Sequence, residues 1–199
     1  MQKIAIFGGT FNPIHNGHLH LAHCFSQKIN FDRVIFVPTK TPIHKEDIFL
    51  ASAEDRLYMC KLAVQGTNYE VSNMEVCRQT PSYTVLTLED LKRQFPYDNL
   101  YFITGEDMFL SLLTWKNPAR IFELATICSA PRSGEGMERM SRYAKKLKEL
   151  GAVTILENID FLPISSTMVR TAQKNGKDIS NMVPTTVMEY IEQHHLYKR

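Results

Sequence analysis

Five short β-rich runs recur along the chain, at residues 4–7, 34–37, 100–104, 126–129 and 153–156, most of them separated by longer stretches with helical spacing. Parallel strands need long crossovers, usually helices, so this alternation predicts βαβ units. The runs Ile4, Ala5, Ile6, Phe7 and Val34, Ile35, Phe36, Val37 are apolar at every position. A strand with one wet face would alternate; an unbroken apolar run needs cover on both faces. The expected fold is α/β, a doubly wound, Rossmann-like, mainly parallel sheet with helices on both faces.

With 199 residues, 44% apolar and 22% charged, the chain suits one compact domain spanning 1–199. A net charge of +2 is too small to suggest a nucleic-acid scaffold and leaves phosphorylated small molecules open. Cys24, Cys60, Cys77 and Cys128 are widely spaced with no Cys-x-x-Cys pair, and read as reduced core cysteines. Gly8 and Gly9 interrupt the first apolar run too early for a signal peptide or membrane span, so no membrane association and a cytoplasmic location are expected.

Several helix ends are readable. Ser52 with Asp55 three residues on resembles a capping box, Gly66 closes that helix, and Asn117 before Pro118 predicts another N-cap. Over residues 137–150, Met140, Ala144, Leu147 and Leu150 form an apolar stripe, and Arg139, Arg142, Lys145, Lys146 and Lys148 a basic outer face read as solvated surface. The irregular stretch 39–49, with two prolines and the pair His44 and Lys45, is expected to be a functional loop.

After the first strand, Gly8, Gly9 and Thr10 allow a sharp turn whose amides can face phosphate. The turn lacks the third glycine of a dinucleotide fingerprint and the Gly-Lys-Ser/Thr of a P-loop. A helix starting near Gly17 puts His18, Ala22, Phe25 and Ile29 on one stripe facing the sheet, with His18 at the helix N-terminus and His15 within reach of the same place. Helix amides at the carboxyl end of a parallel strand favour anions. The two histidines could equally cap the helix. A zinc site is disfavoured, because His20 falls on another face and no acidic or thiolate partner is supplied nearby; no protein metal ligand is assigned.

Farther on, Ser165 and Ser166 follow Pro163 and open a helical run ending at Gly176, with Arg170 one turn along. This arrangement reads either as an anion clamp or as an ordinary capped helix with a surface arginine.

The run Gly8-Gly9-Thr10-Phe11-Asn12-Pro13-Ile14-His15-Asn16-Gly17-His18-Leu19 resembles the signature of the H-x-G-H nucleotidyltransferase superfamily. Within it, the chain is most similar to the bacterial nicotinate-nucleotide adenylyltransferases, through Pro42 to Lys45, Glu75 with Arg78, Pro81 to Thr84, Gly105 to Asp107, Trp115, and Ile164 to Arg170. The resemblance implies transfer of the adenylyl group of ATP to nicotinate mononucleotide, giving nicotinate adenine dinucleotide and pyrophosphate for NAD biosynthesis. It implies that His15, His18 and Arg170 are catalytic. ATP would be held by Gly8, Gly9, Thr10, Phe11, His15, His18, Gly105, Asp107, Ile164, Ser165, Ser166, Thr167 and Arg170, the C-terminal helices (about 164–199) completing the phosphate site. The acceptor nucleotide would meet Thr10, Lys45, Tyr83, Thr84 and Trp115, the tryptophan stacking on the pyridine ring.

From the residues alone, Trp115 could be core packing, Asp107 a helix N-terminal charge, and Lys45 a solvated cation. Arg56 could pair with Glu54, and Arg78 with Glu75. Asn12, Ile43 and Ser133 depart from residues common in the family, which bears on loop geometry more than on chemistry. A nucleotide monophosphate, with its second pKa about 6, needs no strong base to attack, so the protein's task is positioning and charge stabilisation. Magnesium is expected with ATP, bridging its phosphate oxygens. Expected partners are ATP and nicotinate mononucleotide, without nucleic acid; a homo-oligomer is compatible with the sequence. The alternatives are another phosphate acceptor, nicotinamide mononucleotide or phosphopantetheine, or a non-catalytic nucleotide sensor.

Overall fold

The computed structural model describes residues 1–41, 50–132 and 136–198. In chain order the elements are β1 (Lys3–Gly9), α1 (Asn16–Ile29), β2 (Arg33–Pro38), α2 (Ala53–Ala63), β3 (Glu70–Val71), α3 (Thr84–Gln94), β4 (Asn99–Gly105), α4 (Glu106–Phe109), a 3-10 turn (Leu112–Thr114), α5 (Pro118–Leu124), β5 (Ala125–Ala130), α6 (Gly136–Glu149), β6 (Thr154–Leu156), α7 (Ser166–Lys174) and α8 (Thr185–Gln193). The strands form one six-stranded sheet in the order β3-β2-β1-β4-β5-β6. β1 pairs with β4, β4 with β5 and β5 with β6, all parallel.

This strand order steps outward from β1 in one direction and then, from β4, in the other. Right-handed crossovers in opposite directions put helices on opposite faces, which gives the expected doubly wound α/β fold. The reversal lies between β1 and β4. Their register, Phe7 opposite Ile103, places Gly8 and Gly105 near the carboxyl ends of adjacent strands. That switch point is where open α/β sheets bind ligands.

The described residues fall into two compact units: Met1–Gly8, Leu21–Ile35 and Tyr83–Phe161 form the first, and Gly9–His20, Phe36–Ser82 and Leu162–Arg199 the second. The first has its core at Phe25, Leu88, Ile103, Leu112, Ile121 and Ile127. In the second, Phe36, Met59, Val169, Val187 and Ile191 are fully buried, with α2 packed on α8. The apolar runs of β1 and β2 are buried almost throughout, as two-sided cover requires.

Ser52 accepts a hydrogen bond from the Asp55 amide and caps α2, and Gly66 takes a positive φ of 76° just beyond it. Four readings are corrected. Leu150 is 54% exposed, because α6 stops at Glu149 and Gly151, at φ 87°, turns the chain before the stripe can continue. Asn117 precedes α5 without a side-chain cap bond, since its backbone is left-handed (φ 50°), unlike the extended conformation typical of a capping residue. The last long strand starts at Thr154 rather than Val153, which is exposed. All four cysteines are free, but only Cys60 and Cys128 are buried, and burial pushes the Cys128 thiol up to about 12. Cys24 is half-buried because it sits beside, not on, the Ala22 and Phe25 stripe; Cys77 is exposed in an irregular segment with no face to bury.

Candidate active site

In the second unit the turn after β1 carries both histidines. α1 begins at Asn16, and the His15 carbonyl accepts from the His18 amide at 2.9 Å. The His15 amide in turn donates to His18 Nδ1 at 3.2 Å. A neutral imidazole that accepts at Nδ1 carries its proton on Nε2, so this bond turns His18 into a donor at its far nitrogen. The two rings stack with centroids 3.6 Å apart, His15 being 6% exposed, and the edge of Phe11 closes on His18 at 5.0 Å. The glycine between the histidines follows from this stacking. A Cβ on Gly17 would stand 3.0 Å from His15 Nδ1 and 3.4 Å from the Ile164 carbonyl oxygen.

The segment containing Ile164, Ser165, Ser166, Thr167 and Arg170 is brought onto the same turn. Ser165 caps α7 by accepting from the Met168 amide at 3.2 Å. Ser166 Oγ donates to the Pro13 carbonyl at 2.9 Å, and Arg170 Nη1 to the Asn12 carbonyl at 2.8 Å. Arg170 Nη2 also reaches Thr167 Oγ1 at 3.4 Å. The cap reading and the clamp reading of this segment are therefore not exclusive: Ser165 caps the helix, while Ser166 and Arg170 tie it to the histidine turn. The N-termini of α1 and α7 thus meet within one unit, and both present the positive end of a helix dipole.

Three side chains that organise this turn, Arg56, Asn12 and Tyr197, were not among the candidate site residues. Arg56 is completely buried, and it does not pair with Glu54. Its guanidinium donates to the carbonyls of Thr10 (2.7 Å), Lys40 (2.8 Å) and Ala51 (3.1 Å). Asn12, 2% exposed, accepts at Oδ1 from the Ala51 amide (3.1 Å) and from Tyr197 Oη (2.8 Å). Its amide side chain serves as a neutral double acceptor. The sequence signal for Arg56 was an arginine inside a helix beside Leu57, Met59 and Cys60; nothing local marked Tyr197.

In the first unit, Gly8 is the penultimate residue of β1 and Gly105 ends β4, and a Cβ on Gly8 would come within 3.3 Å of the Phe102 ring. Asp107 is exposed in the first turn of α4 and forms an ion pair with Arg132 at 2.9 Å. Its neighbour Glu106, absent from the candidate residues, is 4% exposed; it accepts from the Arg132 amide at 2.7 Å and pairs with the Arg139 guanidinium. Burial alone would raise the Glu106 pKa, but the bonds from Arg132 and Arg139 outweigh it and hold the carboxyl below its ordinary value. Arg139 thus pairs with a buried carboxylate while its own side chain stays 61% exposed on the basic outer face.

Trp115 follows the 3-10 turn, half-buried, with Nε1 donating to Ser111 Oγ at 3.1 Å and its ring edge-on to Phe102 at 5.9 Å. Tyr83 precedes α3 without a side-chain cap bond, Thr84 is the first helical residue, and Lys116 Nζ lies 4.3 Å over the Tyr83 ring. The first amides of α3 thus get no side-chain cap. Lys45 and the loop reading for 42–49 lie outside the described residues, as does Ser133. Among the described residues no three His, Cys, Asp or Glu side chains gather as a metal site, and no helix is long and apolar enough to cross a membrane.

Residues 6–172 match the model of the cytidylyltransferase-like family. The chain is 40% identical to the probable nicotinate-nucleotide adenylyltransferase of Dehalococcoides mccartyi (strain CBDB1), over 99% of this chain and 98% of that protein. It is 37% identical to the probable nicotinate-nucleotide adenylyltransferase of Neisseria meningitidis serogroup B (strain ATCC BAA-335 / MC58), over the full length of both. The fold is shared with Plasmodium falciparum nicotinic acid mononucleotide adenylyltransferase complexed with NaAD, at a TM-score of 0.79 and 19% identity over 99% of this chain and 98% of that one. With that family model matched over residues 6–172 and full-length relatives at 37% and 40% identity, the chain belongs to the nicotinate-nucleotide adenylyltransferase family of the cytidylyltransferase-like nucleotidyltransferases.

Proposed function

We infer that the protein transfers the adenylyl group of ATP to nicotinate mononucleotide. A phosphate oxygen of the mononucleotide attacks the α-phosphorus of ATP, the bond to the bridging oxygen breaks, and pyrophosphate leaves with that electron pair. The acceptor phosphate is already anionic near neutral pH, so no catalytic base is required. The observation that carries this reading is the pairing of His18, fixed as an Nε2 donor by the His15 amide, with Arg170, held on the same turn through Asn12. Donors fixed in advance stabilise negative charge as it develops on the α-phosphate and the departing pyrophosphate.

Ser165, Ser166 and Thr167 add hydroxyls and helix amides for phosphate oxygens. Gly105 and Asp107 are assigned to the ribose and adenine. The acceptor takes Trp115 for stacking and Tyr83 and Thr84 to enclose the ring. The choice of an acceptor that carries a carboxylate over one that carries an amide is supported by the full-length relatives, 37% and 40% identical, that are named nicotinate-nucleotide adenylyltransferases. Magnesium would accompany ATP and neutralise charge on its phosphates, with no ligand from the protein assigned to it.

The test is pyrophosphate release from ATP with nicotinate mononucleotide, nicotinamide mononucleotide and phosphopantetheine in parallel. Turnover should be fastest with nicotinate mononucleotide, and silence with all three would favour a nucleotide sensor. His18→Ala should lose roughly 2–4 kcal/mol of transition-state stabilisation while still binding nicotinate mononucleotide.

A further inference from the structure

Asn12 stands at a junction in the turn. Its carbonyl oxygen receives Arg170 Nη1 at 2.8 Å, so the direction of that peptide plane decides where the guanidinium is held. The plane is fixed from the other side by the side chain, whose Oδ1 accepts from the Ala51 amide and from Tyr197 Oη. Tyr197, two residues before the end of the sequence, is 7% exposed and has a left-handed backbone at φ 63°, a conformation unusual for a bulky residue unless its surroundings impose it. Burial raises the pKa of its hydroxyl, more than the nearby Arg170 and Arg56 lower it, so the group remains a protonated donor.

We propose that Tyr197 is a positioning residue for adenylyl transfer, its hydroxyl setting, through Asn12, the place of the Arg170 guanidinium. This rests on the role given to Arg170 above. An arginine that meets charge developing in the transition state is sensitive to small displacements, and these are felt in kcat more than in ground-state binding. The Tyr197→Phe variant keeps the ring, and Asn12 Oδ1 keeps its bond from the Ala51 amide, so the variant folds.

The experiment measures kcat, KM and melting temperature for wild type, Tyr197→Phe, Arg170→Ala and a variant with 4-aminophenylalanine at position 197, which retains a donor at the ring's far end. Tyr97→Phe, at a side chain 81% exposed, makes the same chemical change as a control. Tyr197→Phe should lower kcat about fivefold, the equivalent of one ordinary hydrogen bond, with KM for nicotinate mononucleotide within about twofold of wild type. The 4-aminophenylalanine variant should recover most of that loss, and Tyr97→Phe should show none. Wild-type kcat for Tyr197→Phe well below its melting temperature would overturn the proposal, even if the melting temperature falls, because a merely structural role leaves turnover by the folded enzyme unchanged. Unaltered kcat in Arg170→Ala would instead overturn the reading of Arg170 on which the proposal stands.

Discussion

At the scale of single residues, the spacing of the histidine motif has a steric reason. A Cβ at position 17 would stand 3.0 Å from the His15 ring, tighter than ordinary van der Waals contact, with the Ile164 carbonyl 3.4 Å away on another side. Gly17→Ala must therefore push the His15 ring, and with it the stacked His18, away by a few tenths of an ångström. Such overpacking costs roughly 1–3 kcal/mol of stability, and kcat should fall about tenfold because the proposed donor His18 shifts with the His15 ring. Steady-state kinetics together with thermal melting decide this; full turnover would mean the stacked arrangement is not the working one. Arg56 poses a different problem, since a buried guanidinium satisfied by three backbone carbonyls joins Thr10, Lys40 and Ala51. Arg56→Met keeps much of the volume but deprives three carbonyls of a charged donor, so urea unfolding should report a loss of roughly 3 kcal/mol or more.

At the scale of elements, α2 and α7 both start at a capping serine, and their comparison separates capping from chemistry. Ser52 Oγ accepts from the Asp55 amide and Ser165 Oγ from the Met168 amide. Ser52→Ala and Ser165→Ala should each cost about 1 kcal/mol in unfolding free energy. Only the second should also reduce turnover, because α7 carries the proposed phosphate ligands Ser166 and Arg170, whereas α2 meets the turn through Arg56, whose three carbonyl bonds do not involve Ser52 Oγ. Equal kinetic effects in the two variants would remove the ATP-phosphate role from Ser165. The capping serines, the glycine stops and the strand runs were legible because each is a local preference written within a few residues. The Arg56 and Glu106 contacts were not legible, since their partners lie far along the chain or in the backbone of loops whose path local sequence does not fix.

For the whole molecule, two ionisable groups predict how stability varies with pH. The Glu106 carboxyl has a folded pKa below its ordinary 4.5, so its contribution is present above that pH and is lost as pH falls through the lower folded value. Unfolding measured at pH 7 and again below pH 4 should show a larger drop for wild type than for Glu106→Gln, and parallel curves would contradict the assignment. Tyr190 is shifted the other way. Burial first, then the hydrogen bond to Asp55, raises its hydroxyl from 10 to about 12, so its contribution is intact below pH 10 and is lost between pH 10 and 12. Tyr190→Phe should flatten that alkaline limb in denaturant titrations. The sequence by itself determined the alternation of strands and helices, the buried character of β1 and β2, and the two motif segments near residues 8–19 and 164–170, because hydrophobic period, glycine and capping chemistry act over short range. Only the tertiary structure decided that those segments meet, that Asn12 is the junction between Arg170 and Tyr197, and that Arg56 is structural, since each depends on backbone groups separated by tens to hundreds of residues and brought together by the packing of the core.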